Sequence, residues 1–255
     1  MKSMKRLLYY FFFLPFFLSA QTEVKDSVKV KADLSLTGFW QGGNVETLIF
    51  RANSNVSFKP WDSWVFKTQN SYVFQKFGGD KADEDILSLN FLYINPEKRF
   101  HPIILGFFST NFRREIEYRY LLGGGFSYRV LKTNKSELKM SLTTEYENTD
   151  FKTTDFNENE YDGMSEIDTW RSTLWMNGSY SLFKNKMILT HEMFFQPSLE
   201  ASNNFRWRAD IGLEIPVWKF LNFKINYLRT YESIVVTSQQ QEDEFLTFGF
   251  TLKSY

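Results

Sequence analysis

The chain has no cysteine among its 255 residues, which excludes a disulfide framework, a thiolate metal site and a thiol-linked lipid. It has no excess of either charge. Thirty basic side chains balance thirty acidic ones, so there is no basic surplus to neutralise a phosphate backbone, and nucleic acid is not an expected partner. Histidine is scarce, with two residues. Beyond the N-terminus there are none of the runs of about 20 apolar residues that helical membrane spans require. Aromatic side chains, by contrast, are abundant. The 28 Phe, 13 Tyr and 7 Trp make up 19% of the chain, yet the mean hydropathy is −0.36, so extensive aromatic surface coexists with many polar groups.

Residues 1–20 read as a cleavable signal peptide. Lys2, Lys5 and Arg6 precede an apolar run from Leu7 to Leu18, and Ser19-Ala20 offer a small-residue cleavage site. A run of this length suits a signal-peptide core and is short for a bilayer span; an uncleaved anchor is the alternative. Cleavage near Ala20 removes three basic residues and leaves 27 positive against 30 negative, about −3. Residues 21–26 then form a short periplasmic segment, and 27–255 a single domain.

From residue 27 onward the dominant signal is period two, the mark of strands with one apolar and one polar face. Leu138, Met140, Leu142, Thr144 and Tyr146 alternate with Glu137, Lys139, Ser141, Thr143 and Glu145. Phe205, Trp207, Ala209, Ile211, Leu213 and Ile215 likewise oppose Asn204, Arg206, Arg208, Asp210 and Glu214. The pattern predicts twelve strands, near 27–40, 46–58, 64–77, 86–94, 100–111, 118–130, 137–148, 169–182, 187–196, 204–215, 220–231 and 244–254. Most are longer than the 5 to 6 residues usual in soluble proteins, and they match tilted membrane-spanning strands.

The connections fall into two alternating classes. Tight turns are expected at 59–63, 95–99, 131–136, 183–186 and 216–219. After a short first turn at Gln41 to Asn44, longer or more polar loops are expected at Gly78 to Asp85, Phe112 to Glu117, Thr149 to Asp168, Pro197 to Asn203 and Glu232 to Asp243. Short turns on one rim, longer loops on the other and an even strand count describe a transmembrane antiparallel up-and-down β-barrel of the outer membrane of a Gram-negative bacterium. A soluble sandwich would show the same alternation, but three features weigh against it. Trp40, Phe58, Trp64, Tyr72, Tyr146, Trp170 and Tyr231 gather at the ends of apolar faces, as interfacial girdles require. Pairing across the 183–186 turn sets Met187 against Leu182, Leu189 against Tyr180 and Met193 against Met176, so neighbouring apolar faces coincide. The polar face is too rich in Arg, Glu and Lys for a dry core; a water-filled or salt-bridged lumen accommodates it. The terminal Tyr255 follows Leu246, Phe248, Phe250 and Leu252 like a barrel insertion signal, but has the opposite parity.

The segments LSLTGFWQGGNVET, LLGGGFSYRVLKTNKSELKMSLTTEYENTD, FRWRADIGLEIPVWKFLNFKINYLRTYES and LTFGFTLK resemble the YdiY-like salt-induced outer-membrane proteins, a family described as a domain of unknown function (481), over roughly residues 32 to 255. In place of that family's Thr-Gly-Asn this chain has Gly42-Gly43-Asn44. The resemblance implies an outer-membrane barrel. It carries no catalytic motif and no functional residues.

The polar face carries Lys29, Lys31, Arg51, Lys67, Arg129, Lys139, Arg171, Arg206, Arg208 and Lys224 against Asp33, Glu137, Glu145, Glu147, Glu192, Asp210 and Glu214. From these, Lys67, Arg129, Glu145, Arg171, Glu192, Arg206, Arg208, Asp210, Glu214 and Lys224 are the candidate lumen-lining set. A strongly selective pore shows one sign along its path, whereas this set is mixed. A small-solute channel and a non-conducting structural or surface-interaction barrel filled by salt bridges are therefore both open. The acidic stretch Asp150, Asp155, Glu158, Glu160, Asp162, Glu166 and Asp168 is expected as an extracellular loop. It lacks the spacing of an EF-hand and reads first as a solvated surface. An outer-membrane lipase is a third reading, disfavoured because His191 has Leu189 and Met193 two residues away and Gly178 opposite, and His101 adjoins Pro102, leaving neither with a nucleophile. Gly123-Gly124-Gly125 lacks the Gly-Lys-Ser/Thr of a phosphate loop, and reads as steric relief for lumen side chains or for strand curvature. No cofactor and no metal is expected. The expected partners are outer-membrane lipid, the barrel-assembly machinery during insertion, and an unidentified small solute or surface partner.

Overall fold

The computed structural model describes residues 30–43, 46–237 and 239–253. The signal-peptide reading, the 21–26 segment, Asn44 and Tyr255 lie outside the described residues. Twelve strands follow one another: β1 (Val30–Gln41), β2 (Thr47–Trp61), β3 (Trp64–Phe77), β4 (Asp80–Ile94), β5 (Phe100–Asn111), β6 (Ile116–Lys132), β7 (Ser136–Phe151), β8 (Glu166–Leu182), β9 (Met187–Pro197), β10 (Phe205–Trp218), β11 (Leu221–Glu232) and β12 (Glu242–Lys253). Each pairs antiparallel with its sequence neighbours, and β12 pairs with β1 to close the barrel. All twelve expected strands are present. The 183–186 turn sets the expected register, with Met187 facing Leu182 and Met193 facing Met176.

Both ends of the described chain lie on one rim, here called the terminal rim; the other is the loop rim. Two expectations about the loop rim are corrected. Gly78 to Asp85 is no loop. Phe77 pairs with Asp80 across Gly78 (φ 60°) and Gly79 (φ 91°), two positive φ values that suit a two-residue hairpin and favour glycine. Strand β4 therefore begins six residues before the apolar alternation does. Asp150, Glu166 and Asp168 are also strand residues, since β7 and β8 continue to Phe151 and from Glu166, with Asp150 facing Glu166 and Asn148 facing Asp168. Beyond the apolar band the outward positions turn polar, so the alternation stops while the hydrogen-bonded ladder continues. Asn148 Nδ2 ties this polar tip together, donating to Glu166 (2.5 Å) and Asp168 (2.7 Å).

Outward faces carry the exposed large apolar side chains, among them Leu34, Phe58, Phe126, Leu142, Leu174, Phe195, Leu246 and Phe250. Aromatic residues mark both borders: Trp61, Trp64 and Trp218 near the terminal rim, and Trp40, Tyr118, Tyr120, Tyr146 and Trp170 near the loop rim. Inward faces are not uniformly polar. Strand β4 turns Leu87, Leu89, Phe91 and Tyr93 inward, where they pack with Ile103, Leu105 and Phe107 of β5, Leu121 of β6, Trp175 of β8 and Phe194 of β9. Phe91 meets Trp175 edge-on with ring centroids 5.6 Å apart. The expectation that no dry core could form inside is thus corrected for this wall of the barrel. Burial of eight such side chains is a large stabilising contribution, at about 1.5–3 kcal/mol for each fully buried large apolar side chain.

Candidate functional site: the braced lumen and its cover

Strands β7, β8 and β10 aim their odd- or even-numbered polar positions at the axis, and near the loop rim this brings Glu147, Arg171 and Arg206 together. Glu147, 1% exposed, accepts from Arg171 Nε (2.8 Å) and from Arg206 (2.5 Å), and Arg119 Nε stands 3.8 Å away. Arg119 reaches across from β6 to Glu232 on β11 with a bidentate pair at 2.8 and 2.9 Å. Arg114, in the β5–β6 turn, pairs with Asp243 (2.9 Å) and with Glu232 (3.4 Å). Arg113 bridges Asp243 (2.9 Å) and Asp83 (3.0 Å). Five guanidiniums and four carboxylates thus form one connected chain spanning the lumen. Charges this deeply buried persist only because each has a partner; removing one leaves the others uncompensated.

The braces continue toward the terminal rim. Asp210 accepts from Arg51 (2.7 Å), Arg208 (3.1 Å) and Asn226 (3.1 Å). Gln69 of β3 donates to Glu192 of β9 at 2.8 Å, and these strands stand opposite each other in the twelve-strand ring. Glu192 also accepts from Asn177 (3.0 Å). Glu214 pairs with Lys253 (2.7 Å) and accepts from Asn222 (2.8 Å). A cavity of about 100 Å³ remains beside Phe107, Phe194, Leu228 and Phe245, with Arg114, Arg206 and Arg208 among its walls.

All ten candidate lumen residues occupy inward positions, but they do different things. Glu145, fully buried, accepts from Thr173 (2.9 Å) and lies below the Glu147 cluster. Arg171 and Arg206 are its clamps; Arg208, Asp210, Glu192 and Glu214 belong to the lower braces. Arg129 is a rim residue, donating to the carbonyls of Pro96 and Glu97 and standing 3.7 Å from Glu137. Lys67 and Lys224, half-buried, have no carboxylate within 4 Å among the described residues. The sequence reading missed Arg119, Glu232, Arg113, Arg114, Asp243 and Asp83. Arg119 and Glu232 share the inward parity of their strands, a signal that was available. The arginines of the β5–β6 turn carry none.

The cover is built from the two longest loop-rim connections. Phe156 and Tyr161 of segment 152–165 pack with Phe151, Ile116, Ile167 and Ile234. Phe156 forms a β-bridge with Val236, Asn157 N–H donates to the Val235 carbonyl (3.0 Å), Val235 N–H donates to Asn157 Oδ1 (2.9 Å), and Thr237 Oγ1 donates to Asp155 (2.7 Å). Of the acidic residues expected in this loop, Asp155, Glu158, Glu160 and Asp162 do lie there, with Asp155 holding the second loop and Glu160 and Asp162 exposed. No group of three acidic or histidine side chains converges to hold a metal among the described residues. His191 faces outward with Nε2 3.2 Å from Tyr180 Oη, and His101 Nδ1 lies 3.0 Å from the Lys98 carbonyl.

Gly123 and Gly125 face inward where β6 and β7 run unusually close. A Cβ would stand 2.1 Å from the Thr144 oxygen at the first and 2.0 Å from the Leu142 oxygen at the second. Of the two expected explanations, room for a lumen side chain holds at Gly123, where Glu145 Cγ would stand 2.8 Å from the added atom; at both positions the neighbouring β7 backbone is nearer still, a constraint the sequence reading did not name.

A family model described as a protein of unknown function, DUF481, matches residues 32–253. Among solved structures, the NanC porin superposes with a TM-score of 0.53 at 10% identity, over 88% of this chain and 100% of that one. The translocator domain of the autotransporter NalP from Neisseria meningitidis follows at 0.48 and 10%, covering 91% of this chain and 90% of its own. The first likeness bears on the fold alone. No curated protein matches the chain.

Proposed function

Because this chain belongs to the DUF481 family and folds as an outer-membrane-type barrel, we propose that it is a closed, non-conducting structural or surface-interaction barrel of the Gram-negative outer membrane. The carrying observation is the Gln69–Glu192 hydrogen bond between opposite walls, 2.8 Å long. A passage for solute requires a gap on the axis, and here polar side chains meet across it. The ion-pair chain above this brace, the apolar cluster beside it and the bridged loops over it act in the same direction. This reading gives the protein no catalytic role and leaves its contacts with the surroundings to its outward face and loop rim. The assembly machinery and outer-membrane lipid are its expected partners during and after insertion.

Planar-bilayer recording of refolded protein tests the proposal. We expect no unitary conductance from the native chain. Arg206→Glu combined with Arg208→Glu should lower the unfolding temperature and leave the bilayer silent, since both substitutions set new negative charge beside Glu147 and Asp210. Steady channel steps from the native protein, with ion preference shifted toward cations in the double variant, would establish the small-solute channel instead.

Orientation follows from loop length, because short turns belong to the periplasmic rim. A single Cys at the exposed Asn159 should react with an impermeant maleimide on intact cells, and one at the exposed Asn185 should react only after lysis. The opposite labelling would invert the barrel.

A further inference from the structure

On three adjacent strands the outward face turns polar at mid-height. The inward direction of β2, β3 and β4 is fixed by Arg51 bonding Asp210, Gln69 bonding Glu192, and Leu89 and Phe91 packing in the lumen. The alternate positions Ser54, Thr68, Asn70, Ser88 and Asn90 therefore face outward. They are contiguous, since Ser54 faces Asn70 and Asn70 faces Ser88, while Thr68 faces Asn90 and Asn90 faces Gly106 of β5. The patch lies inside the apolar band. Phe50 and Phe58 flank it on β2, Phe66 and Tyr72 on β3, Ile86 and Leu92 on β4, and Ile104 and Phe108 on β5.

Each carboxamide satisfies one donor internally, Asn70 to Thr68 Oγ1 (3.1 Å) and Asn90 to Ser88 Oγ (3.0 Å). Their carbonyl oxygens accept no hydrogen bond among the described residues. In hydrocarbon such groups are costly, and acyl chains at that depth offer nothing to bond; headgroups lie at the interface, beyond the flanking apolar residues. A protein surface is the covering that answers the chemistry.

We propose that β2–β5 form the interface of a two-fold homodimer in the membrane, with the Asn70/Asn90 patch at its centre. Protomers of the same orientation are related by rotation about the membrane normal, and that rotation preserves depth. A patch that binds its own copy must then complement itself level by level. Carboxamides and hydroxyls do so, because each both donates and accepts. Charged groups of one sign would repel. Ala52 and Gly106 within the same area keep side chains short and let the two walls approach.

The absence of native cysteine makes the test direct. Ser54→Cys, Thr68→Cys and Ser88→Cys should each be treated in outer membranes with a membrane-permeant copper–phenanthroline oxidant, beside Leu213→Cys on β10, opposite β4. Disulfide-linked homodimer is expected from at least one patch position and not from Leu213. In parallel, light scattering in detergent should give a dimer for the native chain, and Asn70→Leu with Asn90→Leu should raise its dissociation constant at least about tenfold. Heat-modifiable migration reports whether that variant is folded; if it is not, the cysteine arm decides. A monomeric native protein with no cross-link at any patch position, equal cross-linking at Leu213, a cross-link to a different protein, or a dimer unmoved by both leucines would overturn the proposal.

Discussion

Replacing Glu147 by alanine is expected to lower stability by about 3–5 kcal/mol, the cost typical of removing one partner from a buried ion pair. The side chain is 1% exposed and is shared by Arg171, Arg206 and, at longer range, Arg119. Without it three guanidiniums face one another with Glu232 as the one carboxylate, among the described residues, paired with any of them. Urea unfolding of protein refolded into lipid vesicles measures the loss. The effect should be strongly non-additive. Adding Arg206→Met to Glu147→Ala removes one of the stranded charges and should recover a substantial part of it, whereas Arg206→Met alone should be destabilising. A loss below about 1 kcal/mol, the size of an exposed ion pair, would mean that water reaches this cluster and screens it.

The second large effect is expected at the closure seam. Among the described residues β1 and β12 share six facing pairs, from Asp33–Lys253 to Gly38–Phe248. Within this seam Gly249 faces Thr37, and a Cβ added there would stand 1.9 Å from the Leu36 carbonyl oxygen and 2.5 Å from the Thr37 Cα. Both are backbone atoms, so no rotamer relieves the clash and the strands must separate. Gly249→Val should therefore cost at least the about 1–3 kcal/mol of ordinary overpacking and sharply reduce the heat-modifiable folded species on gels. Gly106→Ala, scored for folding yield alone because Gly106 lies in the proposed dimer interface, is the control: its Cβ would meet nothing nearer within the protomer than Asn90 Cβ at 3.9 Å. Equal folding yields for the two variants would show that the seam accommodates the extra atom by sliding.

Strand number, register and the direction of the charged faces were legible in the sequence, because an apolar face on one side and paired charge on the other impose period two. Legibility failed wherever one of those conditions lapsed. Asp80 to Asp85 carries charge on both faces since that end of β4 stands above the apolar band, and the stretch reads as a loop. Strands β4 and β5 carry apolar residues on both faces, so Leu89, Phe91, Ile103 and Leu105 gave no sign of pointing inward. The outward Ser88 and Asn90 were masked by the same loss of contrast. Phe156 and Tyr161 sit singly in a polar segment and Ile234 opens the short run Ile234-Val235-Val236, none of them with a period, and their meeting depends on two loops far apart in the chain.

That meeting also fixes what an antibody or phage adhesin reaching the loop rim can recognise. The surface around Asp155, Asn157, Val235 and Thr237 is held by backbone and side-chain bonds between segments some eighty residues apart. It is therefore a discontinuous, preformed epitope. A binder raised against the folded barrel would lose this part of its target in a denatured blot, and a peptide copying 152–165 would present the acidic tip without the neighbour that shapes it.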